Sequence, residues 1–345
     1  MTGTPTPKVS IGLLVYNGQR YLRRALDSHL AQTFQDFELI ISDNASTDET
    51  GSICEEYAKL DGRIRYARNP QNMGAMWNHN RCFELARGLY FKWSAHDDLL
   101  EPTYLEKCVE KLDADPRVVL CHSLSKVVDD DMRVLAVYDP SQIATDSDSA
   151  TTRFGARIKA RRCIEIFGLM RHDAVARIRY AGASPPPNPN DPNAFAPFRR
   201  FVGADRPVLA ELAIDGRFAC VPEFLFYNGE HGARSTALGK SPLDRLEFYR
   251  PVKKGDRSFP IWSLFGAYIE IAHRRFPSFG DRLRCYWHIF GALFRRFNIL
   301  RMILELVNAV APGLAPLITR GVTSVRRMLG MTGYRRNSNT PLKIK

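Results

Sequence analysis

Apolar runs and amphipathic segments alternate along the first 125 residues of the chain. Short continuous apolar runs predict buried strands, and apolar residues three or four positions apart predict helices. The predicted strands cover residues 8–16, 37–42, 64–66, 89–93 and 117–122. Helical spacing follows the first four strands, within residues 22–30, 46–60, 82–85 and 102–112. This alternation predicts an α/β fold with a mostly parallel sheet and helices on both faces.

The second half of the chain is less regular. Residues 139–157 are rich in Asp, Ser and Thr and predict a mobile loop, whereas the proline-rich residues 181–197 cannot form a regular element. Loops of the latter length are usually functional or disordered, so 181–197 is a candidate acceptor lid by its position alone. The other predicted elements are a helix at 163–169, a helix that begins at Asp205, and strands at 218–221 and 224–227.

Positive charge is concentrated at the C-terminal end of the chain. The whole sequence has 49 Lys or Arg and 37 Asp or Glu, a net charge of +12. Residues 274–345 contain 14 of these bases and only Asp281 and Glu305 as acids, so the rest of the chain is neutral. Arginines interrupt the apolar stretches of this segment too often to predict a membrane-spanning helix. Two interpretations remain open: helices lying on an anionic membrane surface, or helices packed on the domain with a solvated basic face.

These changes in composition divide the chain into three predicted parts. Residues 1–240 form the main domain, 241–332 a basic helical segment and 333–345 a disordered tail. Seven scattered cysteines without a C-x-x-C pair indicate a reducing compartment, and the first residues show no signal-peptide pattern. The predicted location is the cytoplasm, peripheral on the inner face of the cell membrane.

Carboxylates recur where predicted strands end. Asp97 and Asp98 follow the strand at 89–93, and Asp43 follows the strand at 37–42. Ligands of α/β proteins bind outside the carboxyl ends of the strands, where two acids can hold a divalent cation and, through it, a diphosphate. Adjacent acids are more often solvated loop charges, so the neighbouring sequence must decide. The chain has no G-x-G-x-x-G after its first strand, no G-x-x-x-x-G-K-[ST] and no zinc spacing, which argues against a dinucleotide enzyme, a P-loop ATPase and a zinc site.

A specific sequence pattern runs through the first 80 residues. It consists of Pro7–Ile11, Tyr16-Asn17-Gly18, the run from Leu30 to Thr50, and the segment from Asn69 to Asn80. Together these stretches resemble the family 2 glycosyltransferases, a large inverting group with a GT-A fold. The similarity is close over residues 7–125 and looser over 200–236. It implies a nucleotide-diphosphate sugar donor and a divalent cation, Mn²⁺ or Mg²⁺.

The resemblance implies roles for residues at the strand ends. By matching position, Val15, Tyr16 and Asn17 would lie along the nucleotide. Asp43 would accept a hydrogen bond from the ring N–H of the base, although an acid in this place can also be a turn or helix-cap residue. Asp97 would lie near the ribose.

The implied cation site combines two distant parts of the chain. Asp98 would ligate the cation that bridges the diphosphate. Residues 227–235 resemble a later loop of the family, in which a His approaches the metal or the diphosphate. His231 takes that position in this chain, and Arg234 is the candidate phosphate partner.

The catalytic base of the family usually lies in a Glu-Asp pair before a helix, about a hundred residues after the metal acid. Gly203-Ala204-Asp205-Arg206 stands in that place. Asp205 is therefore the candidate base, although Ala204 replaces the first acid of the pair. Asp191 and Glu211 are the alternatives.

Two positions depart from the family pattern. The metal motif often has three acids, whereas His96 stands in the first position here, so metal binding is weaker or His96 contacts the donor. Many members have Ala-Arg-Asn where this chain has Asn78-His79-Asn80. A nucleobase contact of that Arg is then absent or made by His79.

The function that the resemblance implies is inverting transfer of a sugar to a hydroxyl acceptor. The expected acceptor is a lipid-linked saccharide or another cell-envelope glycoconjugate, because the C-terminal segment is basic and apolar. One alternative is a sugar-1-phosphate nucleotidyltransferase, whose Gly-rich loop after the first strand is missing. Another is a non-catalytic scaffold that binds sugar nucleotides, in which the site acids would be idle. Nucleic acid is not an expected partner, because the basic residues are mixed with many Leu, Ile and Phe.

Overall fold

One sheet of ten strands organises the part of the chain that the computed structural model describes, residues 6–160, 162–180, 205–230, 259–294, 298–310 and 342–344. The strands are β1 Val9–Val15, β2 Phe37–Asp43, β3 Ile64–Arg68, β4 Tyr90–Ala95, β5 Leu99–Leu100, β6 Val118–Val128, β7 Val134–Tyr138, β8 Leu169–Arg171, β9 Arg217–Gly229 and β10 Leu342–Ile344. The helices are α1 Leu22–Leu30, α2 Thr50–Leu60, α3 Ala75–Leu85, α4 Tyr104–Ala114, α5 Ala150–Lys159, α6 His172–Tyr180, α7 Asp205–Asp215, α8 Pro260–Arg275, α9 Phe279–Leu293 and α10 Asn298–Val310.

The centre of the sheet is a parallel block with the strand order β4-β1-β2-β3. β1 pairs along its length with β2 on one side and β4 on the other, and nearly all of its residues are buried. Strands that are covered on both faces read as continuous apolar runs, which is why these four strands were recognisable. The predicted mostly parallel α/β fold is confirmed.

The sheet continues past β4 through the short strand β8, which is antiparallel to β4 and to β6. β9 runs parallel to β6 and its end pairs antiparallel with β5. β9 is one strand, whereas two strands were predicted at 218–221 and 224–227. Pro222, between the two predicted strands, does not end β9 because it lies where the register between β6 and β9 shifts. A bulge tolerates a proline that cannot donate to the ladder. β9 thereby returns the chain to the end of β4.

The structure differs locally from the sequence-based expectations at three places. Leu99 and Leu100, just before the helix predicted at 102–112, form a strand that was not predicted, β5, since β9 supplies a backbone partner that local sequence cannot reveal. The loop expected at 139–157 contains the first part of α5, whose Phe154 and Ile158 are buried. The segment 163–169 is a 3₁₀ turn, Ile164–Phe167, followed by β8 rather than a helix.

The C-terminal helices pack on the main domain. α8 was not predicted as a separate helix, and α9 and α10 begin before the two apolar stretches of this segment, residues 286–300 and 302–319. None of the described helices is long and apolar enough to cross a bilayer. The proline-rich residues 181–197 lie outside the described residues, and so does most of the predicted tail, of which β10 pairs in parallel with β7.

A buried ionic cluster joins α8 to α7. The carboxylate of Glu211 is fully buried and accepts hydrogen bonds from Arg274 at 3.0 and 3.1 Å and from Arg275 at 2.8 Å. Arg275 also bonds to Asp215, at the end of α7. Part of the positive charge of the C-terminal segment is therefore neutralised inside the fold.

We expect Glu211→Gln to lower the free energy of unfolding by about 3 kcal/mol, because two arginines would lose their shared buried counter-charge. Glu270→Gln is the matched control, since Glu270 meets Arg274 only at 3.8 Å and on the surface, where such pairs contribute less than about 1 kcal/mol. Denaturant unfolding measures both variants. Equal losses of stability in the two would contradict the assignment of Glu211 as the anchor of α8.

Candidate active site

The loops that follow β1 and β2 are cross-linked by hydrogen bonds. The backbone N–H of Asn17 donates to Ser46 Oγ at 2.9 Å, and the Asn17 side chain accepts from the N–H of Thr47 at 2.8 Å. The next N–H, of Gly18, donates to Thr50 Oγ1 at 2.8 Å. Asn17 has a positive φ of 50°, a conformation that Asn adopts more readily than most residues. The two stretches that carry the family resemblance therefore form one rigid structure.

The residues expected along the nucleotide lie at the end of β1. Val15 is buried and Tyr16 is 45% exposed, so the Tyr16 side chain is accessible to a ligand. A Cβ atom on Gly18 would lie 2.7 Å from the His96 ring. His96 thus packs against the loop after β1, with Tyr21 close to it. The sequence could not show that these two segments touch.

Asp43 ends β2 and is fully buried. Its Oδ1 accepts from the N–H of Ser46 at 2.8 Å, and its Oδ2 accepts from the Tyr66 hydroxyl at 2.9 Å and from Arg68 at 3.3 Å. Burial and the Asp43 carboxylate raise the pKa of Tyr66, so that its hydroxyl remains a donor at neutral pH. Asp43 is therefore a turn acid in this structure. Arg68, which is half-exposed and also reaches the Ser46 carbonyl, is the partner best placed to move for a ligand.

Asp98 lies just beyond β4 and has no exposed surface. Its Oδ1 accepts hydrogen bonds from Asn228 Nδ2 at 2.9 Å and from the N–H of Gly229 at 3.1 Å, both at the end of β9. Asp97 beside it is also buried. Two adjacent carboxylates supply the hard oxygen atoms that Mn²⁺ and Mg²⁺ prefer, so their chemistry fits the implied cation.

The described residues contain no cluster of three or more His, Cys, Asp or Glu side chains that could hold a metal by themselves. The predicted ligand His231 and the predicted phosphate partner Arg234 lie outside the described residues. Gly229, two positions before His231 in the sequence, contacts Asp98. Asn228 and Gly229 were not among the predicted site residues, although the resemblance had marked 227–235 as a loop of the site.

Asp205 is the first residue of α7. α7 ends directly before β9, which begins beside Arg117 and Val118 at the start of β6. β6 and β4 have the same direction, since both are antiparallel to β8. The start of β9, and with it the C-terminal end of α7, therefore lies at the amino edge of the sheet. Asp205 begins the other end of α7 and is close enough to His79 for its charge to act on that ring.

His79 lies on α3, next to β4. Its Nδ1 is 2.9 Å from the Ala75 carbonyl, and its ring lies 6.1 Å from that of Trp93 on β4. Burial lowers the pKa of His79, and the charge of Asp205 opposes this shift. His79 therefore has both Trp93 of β4 and Asp205 near its ring. The other candidate bases differ: Glu211 is committed to the ionic cluster, and Asp191 lies outside the described residues.

Lys92, which sequence reasoning missed, is buried behind the acidic pair. Its Nζ donates to the carbonyls of Trp93 and Phe167 and lies about 5 Å from the ring centroids of Tyr104 and Phe226. Burial lowers the pKa of Lys92 to about 8, and the negative charge of Asp98 opposes this shift. A lysine inside an otherwise apolar strand was the visible signal.

The comparisons with known proteins point to one family. The sequence model described as Glycosyl transferase family 2 matches residues 10–179. EpsH of Bacillus subtilis (strain 168) is 34% identical over 125 residues, which are 36% of this chain and 36% of that protein. The chondroitin synthase of Escherichia coli is 32% identical over 123 residues, 36% of this chain and 18% of the synthase. The chain thus matches well under half the length of these curated relatives.

A solved structure shows the fold over more of the chain. S. aureus TarS 1–349, crystallised in complex with UDP, superposes with a TM-score of 0.58 at 16% identity, covering 95% of this chain and 93% of that one. The sequence match lies on β1 to α6, the part that carries the loops after β1 and β2 and the acidic pair after β4. Residues 10–179 of the chain belong to the family 2 glycosyltransferases, and the chain has their GT-A fold.

Proposed function

We propose that the chain transfers a sugar, with inversion, from a nucleotide-diphosphate sugar to a hydroxyl acceptor. The observation that supports this is the position of Asp43, Asp97 and Asp98 at the carboxyl ends of the parallel strands β2 and β4. TarS 1–349 has been crystallised with UDP and with UDP-GlcNAc. A UDP-sugar is therefore the first donor to test.

In this proposal Asp205 is the general base. Its carboxylate takes the proton of the acceptor hydroxyl while that oxygen forms a bond to the anomeric carbon. The bond from the anomeric carbon to the diphosphate oxygen breaks on the opposite face, and the nucleoside diphosphate leaves with the electron pair. A single displacement of this kind inverts the anomeric centre, as in inverting glycoside hydrolysis.

Donor binding is assigned to the loops of β1, β2 and β4. Residues 15–17 lie along the nucleotide, Asp43 receives the base N–H once Arg68 moves aside, and Asp97 lies near the ribose. Asp98, with His231, would hold Mn²⁺ or Mg²⁺, which when bound supplies positive charge next to the diphosphate. Arg234 is a further candidate for the phosphates. The hydrogen bonds from Asn228 and Gly229 fix the orientation of Asp98.

The proposed acceptor is a lipid-linked saccharide or another cell-envelope glycoconjugate, and the proposed location is peripheral on the inner face of the cell membrane. The support is the charge distribution, since the 72 residues from 274 onward carry the entire net charge of +12. A basic segment next to apolar helices suits an enzyme whose acceptor is held at an anionic surface.

The class of donor is tested by nucleoside diphosphate release. We expect slow release from one member of a panel of UDP-, GDP- and dTDP-sugars with Mn²⁺, and no release with EDTA. The proposal does not depend on turnover in the absence of an acceptor, so donor binding is measured in parallel by calorimetry. Absence of both release and metal-dependent binding across the panel would contradict the proposal.

Asp205→Asn should reduce transfer by about 10²–10⁴-fold, the usual contribution of a general base, and should leave donor affinity unchanged. Asp36→Asn is the matched control, because Asp36 is an exposed acid before β2, at the amino edge of the sheet. Both variants are assayed for transfer rate and for donor binding. Nearly wild-type transfer by Asp205→Asn would mean that the base is another residue.

Asp98→Asn should abolish the dependence of donor affinity on Mn²⁺, because an amide is a poorer ligand than a carboxylate. The amide can still accept the hydrogen bonds of Asn228 and Gly229, so we expect the fold to persist. Titration of UDP with and without Mn²⁺ measures the effect, and circular dichroism checks the fold. An unchanged Mn²⁺ effect in a folded variant would remove Asp98 from the cation site.

A further inference from the structure

α9 presents an apolar stripe to solvent. We call this stripe the aromatic face; it consists of Phe279, Leu283, Trp287, Phe290 and Phe294. Phe279 is 76% exposed and Trp287 is 73% exposed, and the other three side chains are more than half-exposed. Single exposed apolar residues are ordinary, but a continuous row of large ones indicates a binding surface.

The aromatic face is a regular feature of a well-packed helix. At about 100° per residue, its five side chains fall within about 80° of the helix circumference. The opposite side is buried through Cys285, Ile289 and Ala292. There His288 packs so closely on Gly155 of α5 that a Cβ atom would overlap its ring. α9 is therefore packed on the domain through one side, and its other side is exposed to solvent.

The exposed rings contact one another. Trp287 and Phe290 are stacked with centroids 6.2 Å apart, and Phe290 and Phe294 meet edge-on at 4.7 Å. The neighbouring helix α10 adds three exposed aliphatic side chains. These are Ile299, Ile303 and Leu306. α9 and α10 thus both expose rows of apolar side chains to solvent.

Positive charge borders the aromatic face. Arg282 and Arg284 lie on its two sides, each about 100° from its centre on the helix. Arg284 is 71% exposed and pairs with Asp281 at 3.1 Å, whereas Arg282 is partly buried. A helix that carries Trp, Phe and Leu on one face, with arginines at the margins, is built to lie in the headgroup region of a bilayer. We propose that the aromatic face docks this enzyme on an anionic membrane surface.

Charge complementarity favours a membrane over a second copy of the chain. The segment from residue 274 onward has 14 bases and two acids. Two chains that each carry this excess of positive charge repel one another, which opposes a contact between copies. An anionic leaflet instead attracts each nearby Lys or Arg by about 1 kcal/mol.

Docking through α9 would hold the proposed base, Asp205, in a fixed relation to an acceptor at the membrane surface. This step rests on the proposed function. α9 packs on α5 and α8, and α8 is held to α7 by the Glu211 cluster. α7 begins at Asp205, the proposed base. A membrane-bound α9 therefore connects through two packed helices to the residue that would activate the acceptor hydroxyl.

The test is co-sedimentation of the full chain with vesicles of phosphatidylcholine, with and without one third phosphatidylglycerol. We expect binding only to the anionic vesicles and less of it at high salt. Replacement of both Trp287 and Phe290 by Ser should weaken the partition at least about tenfold, because two large apolar side chains lose their burial. The matched control replaces Leu60 and Leu89, which are equally exposed elsewhere, by Ser and should bind as wild type.

A second measurement uses a substitution that keeps the side chain apolar. Brominated lipids should quench tryptophan fluorescence of the wild-type chain, and Trp287→Phe should remove that quenching. Unchanged binding of the Ser variant, unchanged quenching in Trp287→Phe, or equal binding to neutral vesicles would overturn the proposal. Light scattering that shows a dimer for the wild-type chain and a monomer for the Ser variant would also overturn the proposal. Donor turnover without vesicles should be the same in wild type and the Ser variant, so failure of catalysis and failure of docking are distinguished.

Discussion

The carboxylate of Asp98 is buried and receives two hydrogen bonds from the end of β9. A buried carboxylate is stable only when donors or a counter-charge compensate for its lost hydration. Asn228 and Gly229 are the donors, and Lys92 contributes a positive charge from behind. The pairing of β5 with β9 brings these groups together. The acid that follows β4 thus depends on a strand more than a hundred residues later in the chain.

The remaining strand ends are held in a comparable way. Backbone N–H groups after β1 are bound by side chains after β2, and Asp43 binds the turn that follows it. Such bonds leave few free rotations in the loops before a ligand arrives. A site of this kind loses little conformational entropy when it binds, which is the general advantage of preorganised loops. Arg68, half-exposed beside Asp43, is the adjustable element in this arrangement.

The sequence predicted the parallel block of the sheet and the positions of the strand-end acids, because both depend on local patterns. β1 and β2 are covered on both faces and appear as apolar runs, and the turns after them contain Asn-Gly and Asp-Asn. It did not predict β5 or the continuity of β9, because those elements exist through pairing between distant segments. The cross-links between loops and the position of Lys92 were invisible for the same reason.

The C-terminal segment had two interpretations from its sequence, and its helices differ in where their arginines lie. α8 uses Arg274 and Arg275 to neutralise Glu211, so these arginines belong to the packed interior. α9 is packed on one side only, and its other side combines exposed aromatic rings with arginines at the margins. Net charge alone could not separate these roles, because an arginine counts equally in a buried ion pair and on a free surface. On α9 itself the arginines border apolar surface, and that combination suits an anionic membrane.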